Sequence, residues 1–506
     1  MKTTAKSNPV PAIIPLPESI MQCAGSFVLD ASTRLVTGAS ASAAAAAFAD
    51  AIRPATGFIA QVATDMPAEG NAIAFVLDTA RTDLGDEGYE LEVTSSRATL
   101  VAPTQAGLFY AVQTLRQLLP PEILSPDPVE GVVWSIPCVA IRDRPRFAWR
   151  GLMLDTGHDF QRLSYVFRFI DLMALYKFNV FHWHICDLGI FPLEIRGYPE
   201  LQNPAHRGPR LRGEPPRPVK HGFFTQNEAR AVVAYAAARH ITVLPEIDMP
   251  GHATPVLTAY PEFDCPVPHT QYGLDRWEYC LSSEPAMRFL EAALTQIMAI
   301  FPSPFIHIGG DECPPDHWKT CPSCQAKIKA EGLKDEEDLR RSFLLRIERF
   351  LGARGRRMIG WDEIYENGVG RSTALMAWRP KVALEVAATA AGHEVVMTPP
   401  SHVYFDYSEE KTPIDKVYAY EPVGAALSPE QAAHVLGAQA QLWSDNHPTE
   451  AEIDRLTYPR ACALAEVVWS PASSRDWGSF AERLTAHARR LAQFGIKIPA
   501  CPRSGE

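Results

Sequence analysis

The chain has 506 residues, 46% of them hydrophobic, which is enough for a full-sized core and for two or three domains, fewer if one of them is a barrel. Its net charge of −11, with no basic run or stripe, argues against nucleic acid or an anionic membrane as partner and leaves small neutral or polar substrates open. No apolar stretch reaches the roughly 18 to 20 residues of a membrane helix, and the start MKTTAKSNPVPAIIPLPESI lacks the continuous apolar core of a signal peptide; the expected location is cytoplasmic by default, periplasmic or secreted if a leader was removed.

In chain order, residues 1–145 open with strand-like runs at Ser26 to Val36 and Ala72 to Leu77. A hairpin follows, Tyr89 to Thr94 and Ala98 to Val101 about Ser95-Ser96-Arg97, with an Ala-rich helix at Ser42 to Ile52 and an amphipathic one at Gln105 to Leu118. These predict a small α+β domain. After the break Asp143-Arg144-Pro145-Arg146, short apolar runs alternate with helix-period segments, the pattern of βα units and a parallel sheet. The runs are AWRGLMLD (148–155), NVFHWHICD (179–187), ITVLPEIDMPGH (241–252), FIHIGGDE (305–312), RMIGWDEI (357–364), ALMAWRP (374–380), EVVMTPP (394–400) and VLGAQAQLWSD (435–445). Eight such runs predict a (β/α)8 TIM barrel over residues 146–506. Its helices are expected at Tyr165 to Phe178, Gln226 to Arg239, Pro285 to Ile300 and Leu339 to Gly352, among others.

In such barrels the chemistry sits at the C-terminal ends of the strands. The runs deliver Arg150, Asp155, His184, Asp187, Glu246, Asp248, His252, Asp311, Glu312, Trp361, Trp378 and Trp443. Indole faces stack on pyranose rings, while carboxylates and arginine bind hydroxyls, so this composition predicts a sugar site. The adjacent acids of HIGGDE (307–312) pose a question of their own, because two carboxylates in a low-dielectric pocket repel and one is driven toward a raised pKa. His182 and His184 share a face by their spacing of two, which suits a metal pair or ordinary packing, and His307 and Glu246 read equally well as satisfied barrel polars.

Ten cysteines are scattered through the chain, and Cys138, Cys186 and Cys462 fall in apolar patterns as small hydrophobes. Cys313, Cys321 and Cys324 are closer together, and Cys265 or Cys280 would complete a four-thiolate zinc site; unligated thiols are the alternative.

The ordered set IIPLPESI (13–20), GLFYAVQTLRQLL (107–119), RDRPRFAWRGLMLD (142–155), NVFHWHICD, LPEIDMPGH, HIGGDEC, GWDEI, LWSD and YPRACALAEVVWS (458–470) resembles the β-N-acetylhexosaminidases of glycoside hydrolase family 20. The resemblance implies a retaining exo-acting enzyme that removes terminal non-reducing GlcNAc or GalNAc from a small glycan or glycoside, with no cofactor and an open oligomeric state. It implies that the substrate's own acetamido oxygen attacks C1 to form an oxazolinium ion, since this family is an exception to the two-carboxylate scheme. By the same resemblance Glu312 is the acid and base, Asp311 holds the acetamido N–H, and Tyr404 donates to its oxygen. Asp187 orients His252 against Glu312; Trp361, Trp378 and Trp443 wall the acetyl group and sugar face; Arg150 and Asp406 bind ring hydroxyls. Asp445 stands where the family commonly has Glu, near the 4-hydroxyl. Other departures are Leu188 and Gly189 for an Asp and a Gln, and His158-Asp159 for an Arg-His, which put the substrate in question more than the reaction. Two other readings are a metal-dependent barrel hydrolase built on His182, His184, His252 and Asp311, and a glycan-binding protein without catalysis.

Overall fold

The computed structural model describes residues 11–64, 70–206, 220–267, 276–445, 447 and 449–498. The first part is a seven-stranded sheet in the order β1-β7-β5-β6-β4-β2-β3, where β1 is Ser19–Val28, β2 Arg34–Thr37, β3 Gln61–Ala63, β4 Ala72–Leu77, β5 Tyr89–Val93, β6 Arg97–Ala102 and β7 Ser135–Asp143. The run expected as one strand from Ser26 to Val36 is two, because a turn at Ala31–Ser32 breaks it. Burial alternates along β5, β6 and β7, so one face is covered, and the helices Ser42–Thr56 and Gln105–Leu118 pack against it. The second of these helices is buried nearly all round, since its far side meets the barrel: Gln117 Nε2 donates to Leu175 O at 2.8 Å.

The second part is a closed barrel of eight parallel strands: β8 Trp149–Asp155, β9 Val180–His184, β10 Thr242–Glu246, β11 Phe305–His307, β12 Arg357–Trp361, β13 Ala374–Ala377, β14 Val395–Met397 and β15 Val435–Ala440, which closes on β8. These are the eight runs expected, all but the first shortened at their C-terminal ends where the chain turns out of the barrel. Every residue of β8 and β9 is buried, as both faces of a parallel sheet are covered. Caps fix where the outer helices begin: Thr225 and Glu228 form a reciprocal capping box ahead of Gln226–Ala237, worth about 1 kcal/mol. Among the described residues no helix is long and apolar enough to cross a membrane.

The two parts are joined at the N-terminal end of the barrel by buried ion pairs. Arg150, fully buried, lays both guanidinium ends on Glu87 of the first domain at 2.7 and 2.9 Å. Lys177 Nζ lies 2.8 Å from Asp143 Oδ2 and 2.8 Å from Tyr89 Oη, over the Trp469 ring.

Candidate active site

The strand registers set Asp155, His184, Glu246 and His307 side by side, so the last residues of β8 to β11 form one level at the mouth. Glu246 closes this floor. It accepts the Trp361 indole N–H at 2.9 Å and lies 2.8 Å from His307 Nδ1 and 2.9 Å from His182 Nε2. With three protein partners, His307 and Glu246 are supports beneath the pocket.

Above this level β11 leaves the sheet through Gly309 and Gly310, and the glycines answer the question raised by HIGGDE. Their φ angles are 64° and 94°, a region costly to other residues. A Cβ on Gly309 would come within 1.9 Å of Asp248 Oδ1, and one on Gly310 within 2.3 Å of Ile364 Cγ2. Only glycines let the chain turn here, and the turn throws Asp311 and Glu312 into the pocket. Glu312 and His252 are themselves left-handed, at φ 50° and 52°. Such strain persists only where surrounding contacts hold it.

Those contacts are electrostatic. His252 Nδ1 is 2.8 Å from Asp187 Oδ1, while its Nε2 is 3.7 Å from both Asp311 Oδ2 and Glu312 Oε2. Burial opposes the charge on His252, but Asp187, Asp248 and Asp311 outweigh it and hold its pKa well above the usual histidine range. Burial drives Asp311 up to about 7, with Glu312 and Glu246 adding repulsion and the imidazolium of His252 opposing it. Asp311 Oδ1 is buried without a hydrogen-bond partner and therefore free to receive one. Glu312, by contrast, is more than a third exposed at its side chain and open to a molecule bound at the mouth.

Aromatic rings line the opposite side. Trp361 and Trp443 have centroids 6.0 Å apart, Tyr404 lies 6.4 Å from Trp443, and Trp378 stacks near Tyr404 at 6.5 Å. Burial, with Asp406 and Asp311 nearby, raises the Tyr404 phenol well above its ordinary value and keeps it a donor. The Trp378 indole donates to Glu363 Oε2 at 2.9 Å. Burial, Asp311 and Asp362 push Glu363 up to about 9 against the Arg379 guanidinium, whose Nε lies 3.7 Å from Oε2, and this favours the neutral carboxyl at pH 7. At the rim, burial and the charge of Asp445 raise Asp406 to about 7. His158 lies 2.7 Å from Asp155 Oδ2; against the cost of burial, Asp187, Asp155 and Asp445 raise it to about 10, so it is a fixed cation.

Three groupings expected from the sequence are corrected. Arg150 is not at the mouth: it is the second residue of β8, at the far end of the barrel, and Glu87, Tyr110, Phe147 O and Lys177 O occupy its guanidinium. His182, His184, His252 and Asp311 do not converge as one metal set, since His182 joins Glu246, His184 joins Asp155 and His252 joins Asp187. Cys313 stands apart from the other cysteines and points at Asp311 O, 2.9 Å away. The sequence reading also passed over His158 and Glu363 as site residues. Glu363 lies in the motif GWDEI and His158 appeared only as a departure from the family's Arg-His, but neither the charge on a histidine nor the neutrality of a glutamate follows from spacing. A cleft of about 530 Å³ at the barrel's other end, lined by Trp149, Val180, Thr242 and Phe305, offers one acid, Glu87, which Arg150 holds.

Two carboxyl groups on a strained turn, backed by an imidazole and faced by indoles, are equipment for cleaving a glycosidic bond, which places the chain among the glycoside hydrolases. Residues 147–472 match the catalytic domain of glycosyl hydrolase family 20 and residues 10–144 match domain 2 of that family. The chain belongs to glycosyl hydrolase family 20. The β-hexosaminidase of Porphyromonas gingivalis is 37% identical over 501 residues, 96% of this chain and 64% of that protein, so the chain spans just under two thirds of its length. The β-hexosaminidase of Akkermansia muciniphila is 34% identical over 80% of this chain and 83% of its own. The exo β-N-acetylglucosaminidase of Vibrio harveyi, solved with N-acetylglucosamine, is 28% identical and superposes with a TM-score of 0.87 over 97% of this chain and 78% of that one.

Proposed function

We propose that the protein is a retaining exo-β-N-acetylhexosaminidase that removes terminal GlcNAc or GalNAc by substrate-assisted catalysis. The observation that carries this reading is that Asp311 and Glu312 both stand 3.7 Å from the same nitrogen of His252. An ordinary retaining pair flanks the scissile bond from opposite sides, about 5 Å apart. Two acids gathered on one imidazole approach from a single side, so Glu312 can serve as acid and base while Asp311 is badly placed as the nucleophile. Glu363, the neighbouring carboxyl, is neutral and bound to Trp378. The nucleophile is then the substrate's acetamido oxygen. Trp361, Trp378, Tyr404 and Trp443 confine the acetyl group, turning a free amide into a positioned one. Asp311, through its unpartnered Oδ1, accepts the acetamido N–H and opposes the positive charge that grows on that nitrogen as the oxazolinium forms. Glu312 protonates the departing oxygen, then takes a proton from the water that opens the ring. At the rim, His158, Asp406 and Asp445 are the groups on hand for the sugar hydroxyls.

The test is turnover of aryl β-GlcNAc glycosides by wild type and Glu312→Gln. An activated aryl group leaves almost unaided, so the variant should lose about 10²- to 10⁴-fold on poor leaving groups and much less on good ones. Equal losses on both, or isolation of a glycosyl ester on any carboxylate, would overturn the reading. A thiazoline mimic of the oxazolinium should inhibit far more tightly than GlcNAc, and Asp311→Asn should erase most of that advantage.

A further inference from the structure

The four cysteines that gather in the structure are not needed by the reaction. Cys265 and Cys280 precede the helix Glu284–Ile300; Cys321 and Cys324 bracket the start of the helix Pro322–Glu331. All four are at most 5% exposed, and their sulfurs lie within 4.8 Å of one another. Two of the separations are 3.9 Å (Cys265 to Cys324) and 3.7 Å (Cys280 to Cys324). A disulfide would need about 2.05 Å. A tetrahedral zinc with Zn–S bonds of about 2.3 Å sets its sulfurs about 3.8 Å apart. Hydrophobic packing of free thiols brings one sulfur against aliphatic neighbours; it has no need to bring four sulfurs from separate segments into mutual contact. Hydroxyls also stand beside the sulfurs, Ser282 Oγ at 3.1 Å from Cys280 Sγ and Ser323 Oγ at 3.1 Å from Cys321 Sγ, as partners of bound thiolates do.

We propose that Cys265, Cys280, Cys321 and Cys324 bind one zinc ion as a closed structural tetrathiolate. Soft sulfur ligands in a tetrahedron select zinc over hard cations, and four protein ligands leave no position for substrate. The ion staples two loops that buttress the active site. Between the first two cysteines, Trp277 donates its indole N–H to Glu312 O at 3.0 Å and its carbonyl accepts from Ala253 N, beside His252. Trp318, before the second pair, donates to Tyr279 O at 3.1 Å. Zinc therefore holds the backs of Glu312 and His252 without touching the sugar.

The experiment is elemental analysis of the full chain after dialysis into metal-free buffer, a readout independent of the proposed glycosidase activity. One zinc per chain is expected, lost in Cys321→Ser and Cys324→Ser and kept in Cys138→Ser. Where a ligand variant fails to fold, wild type decides: titration with an organomercurial should release one zinc per four thiols, and cobalt exchanged into the site should show sulfur-to-cobalt charge-transfer absorption. Removing the ion should lower the unfolding temperature, and added zinc should restore it. Four reactive thiols with no metal, two disulfides, or iron in place of zinc would overturn the assignment.

Discussion

Asp311 shows how a single residue can be both the centre of the chemistry and a cost to the fold. Its pKa in the folded chain is near 7 against an ordinary 3.8, because burial disfavours the carboxylate more than His252 favours it. Between those values the native state binds more protons than the unfolded chain, so this group's contribution to stability falls as pH rises through that window. Above pH 7 the cost is on the order of 4 kcal/mol from the shift between 3.8 and about 7. Asp311→Asn should therefore raise the unfolding temperature at pH 8 and change it little near pH 4, with a net gain below that figure because His252 loses a charge partner. The same substitution should abolish the acid limb of kcat/KM, which in wild type should fall as pH drops through about 7. A variant equally stabilised at both pH values would place the carboxyl in water. Asp445 sits at the rim, its charge felt by His158 and Asp406. Its carboxylate is one methylene shorter than the family's usual glutamate, a retraction larger than a hydrogen bond tolerates. The expected outcome is relaxed discrimination at the sugar's 4-hydroxyl: activity should be measurable on both GlcNAc and GalNAc glycosides, and Asp445→Glu should shift the ratio of their kcat/KM values by about 1 to 3 kcal/mol. An unmoved ratio would mean the residue does not face the sugar. Sequence motifs were enough to name Asp311, Glu312, Asp187, His252 and the rings that the structure gathers at one mouth. They misplaced Arg150 because strand position decides which end of a barrel a side chain serves, and a conspicuous cation in a familiar run gives no sign of which end it occupies.

At the scale of elements, the eight barrel strands were legible because apolar runs bounded by helix-period segments have few other folds open to them. What spacing did not reveal was the departure from each strand. Ser26 to Val36 divides at a two-residue turn, and the segments after β11 and β12 turn sharply within the motifs that carry function. The short helix Glu363–Glu366 following β12 places Glu363 under the Trp378 indole and close to Asp311, where burial keeps it neutral. Glu363→Gln preserves a neutral acceptor for the indole and should leave kcat/KM at pH 7 within about threefold, whereas Glu363→Ala removes it and should cost about tenfold, near the 1 to 1.5 kcal/mol of a hydrogen bond. The sign with pH is opposite to that of Asp311. In wild type, ionisation of Glu363 near pH 9 adds a second negative charge beside Asp311 and frees no donor, so activity should fall above that value. Glu363→Gln should remove this alkaline component, which a pH profile from 7 to 10 would show. A Gln variant as impaired as the Ala variant would mean that the carboxyl works ionised.

For the whole molecule the telling feature is a fully buried ion pair that lies far from the chemistry, where the sheet domain meets the bottom of the barrel. Lys177 and Asp143 are both fully buried, and their pair is completed by Tyr89 Oη, which donates to Asp143 Oδ2 at 2.6 Å, and by Trp469 Nε1, which donates to Asp143 Oδ1 at 2.9 Å. Asp143 and Tyr89 belong to the sheet, while Lys177 and Trp469 belong to the barrel, so the bonds made by Lys177 and Trp469 tie one domain to the other. Burial lowers the Lys177 pKa, and Asp143 opposes that fall. Removing one member of such a pair leaves an uncompensated charge and typically costs about 3 to 5 kcal/mol, more than the pair itself contributes over an apolar substitute. Lys177→Met should therefore lower the denaturation midpoint strongly, and Lys177→Met combined with Asp143→Asn should recover a large part of the loss, giving a coupling energy well above the ~0.5 kcal/mol expected of independent sites. Because the cluster sits opposite the mouth, KM for an aryl β-GlcNAc should stay at the wild-type value at temperatures where the variant is folded. Glu87→Gln is the parallel case: Glu87 is itself 21% exposed, but the Arg150 guanidinium it would leave without a counter-charge is fully buried, so its cost should be comparable to that of Lys177→Met. If the single and double variants add, or if KM rises with the loss of stability, the domain seam is coupled to the pocket in a way that neither the ion pairs nor the barrel geometry provides.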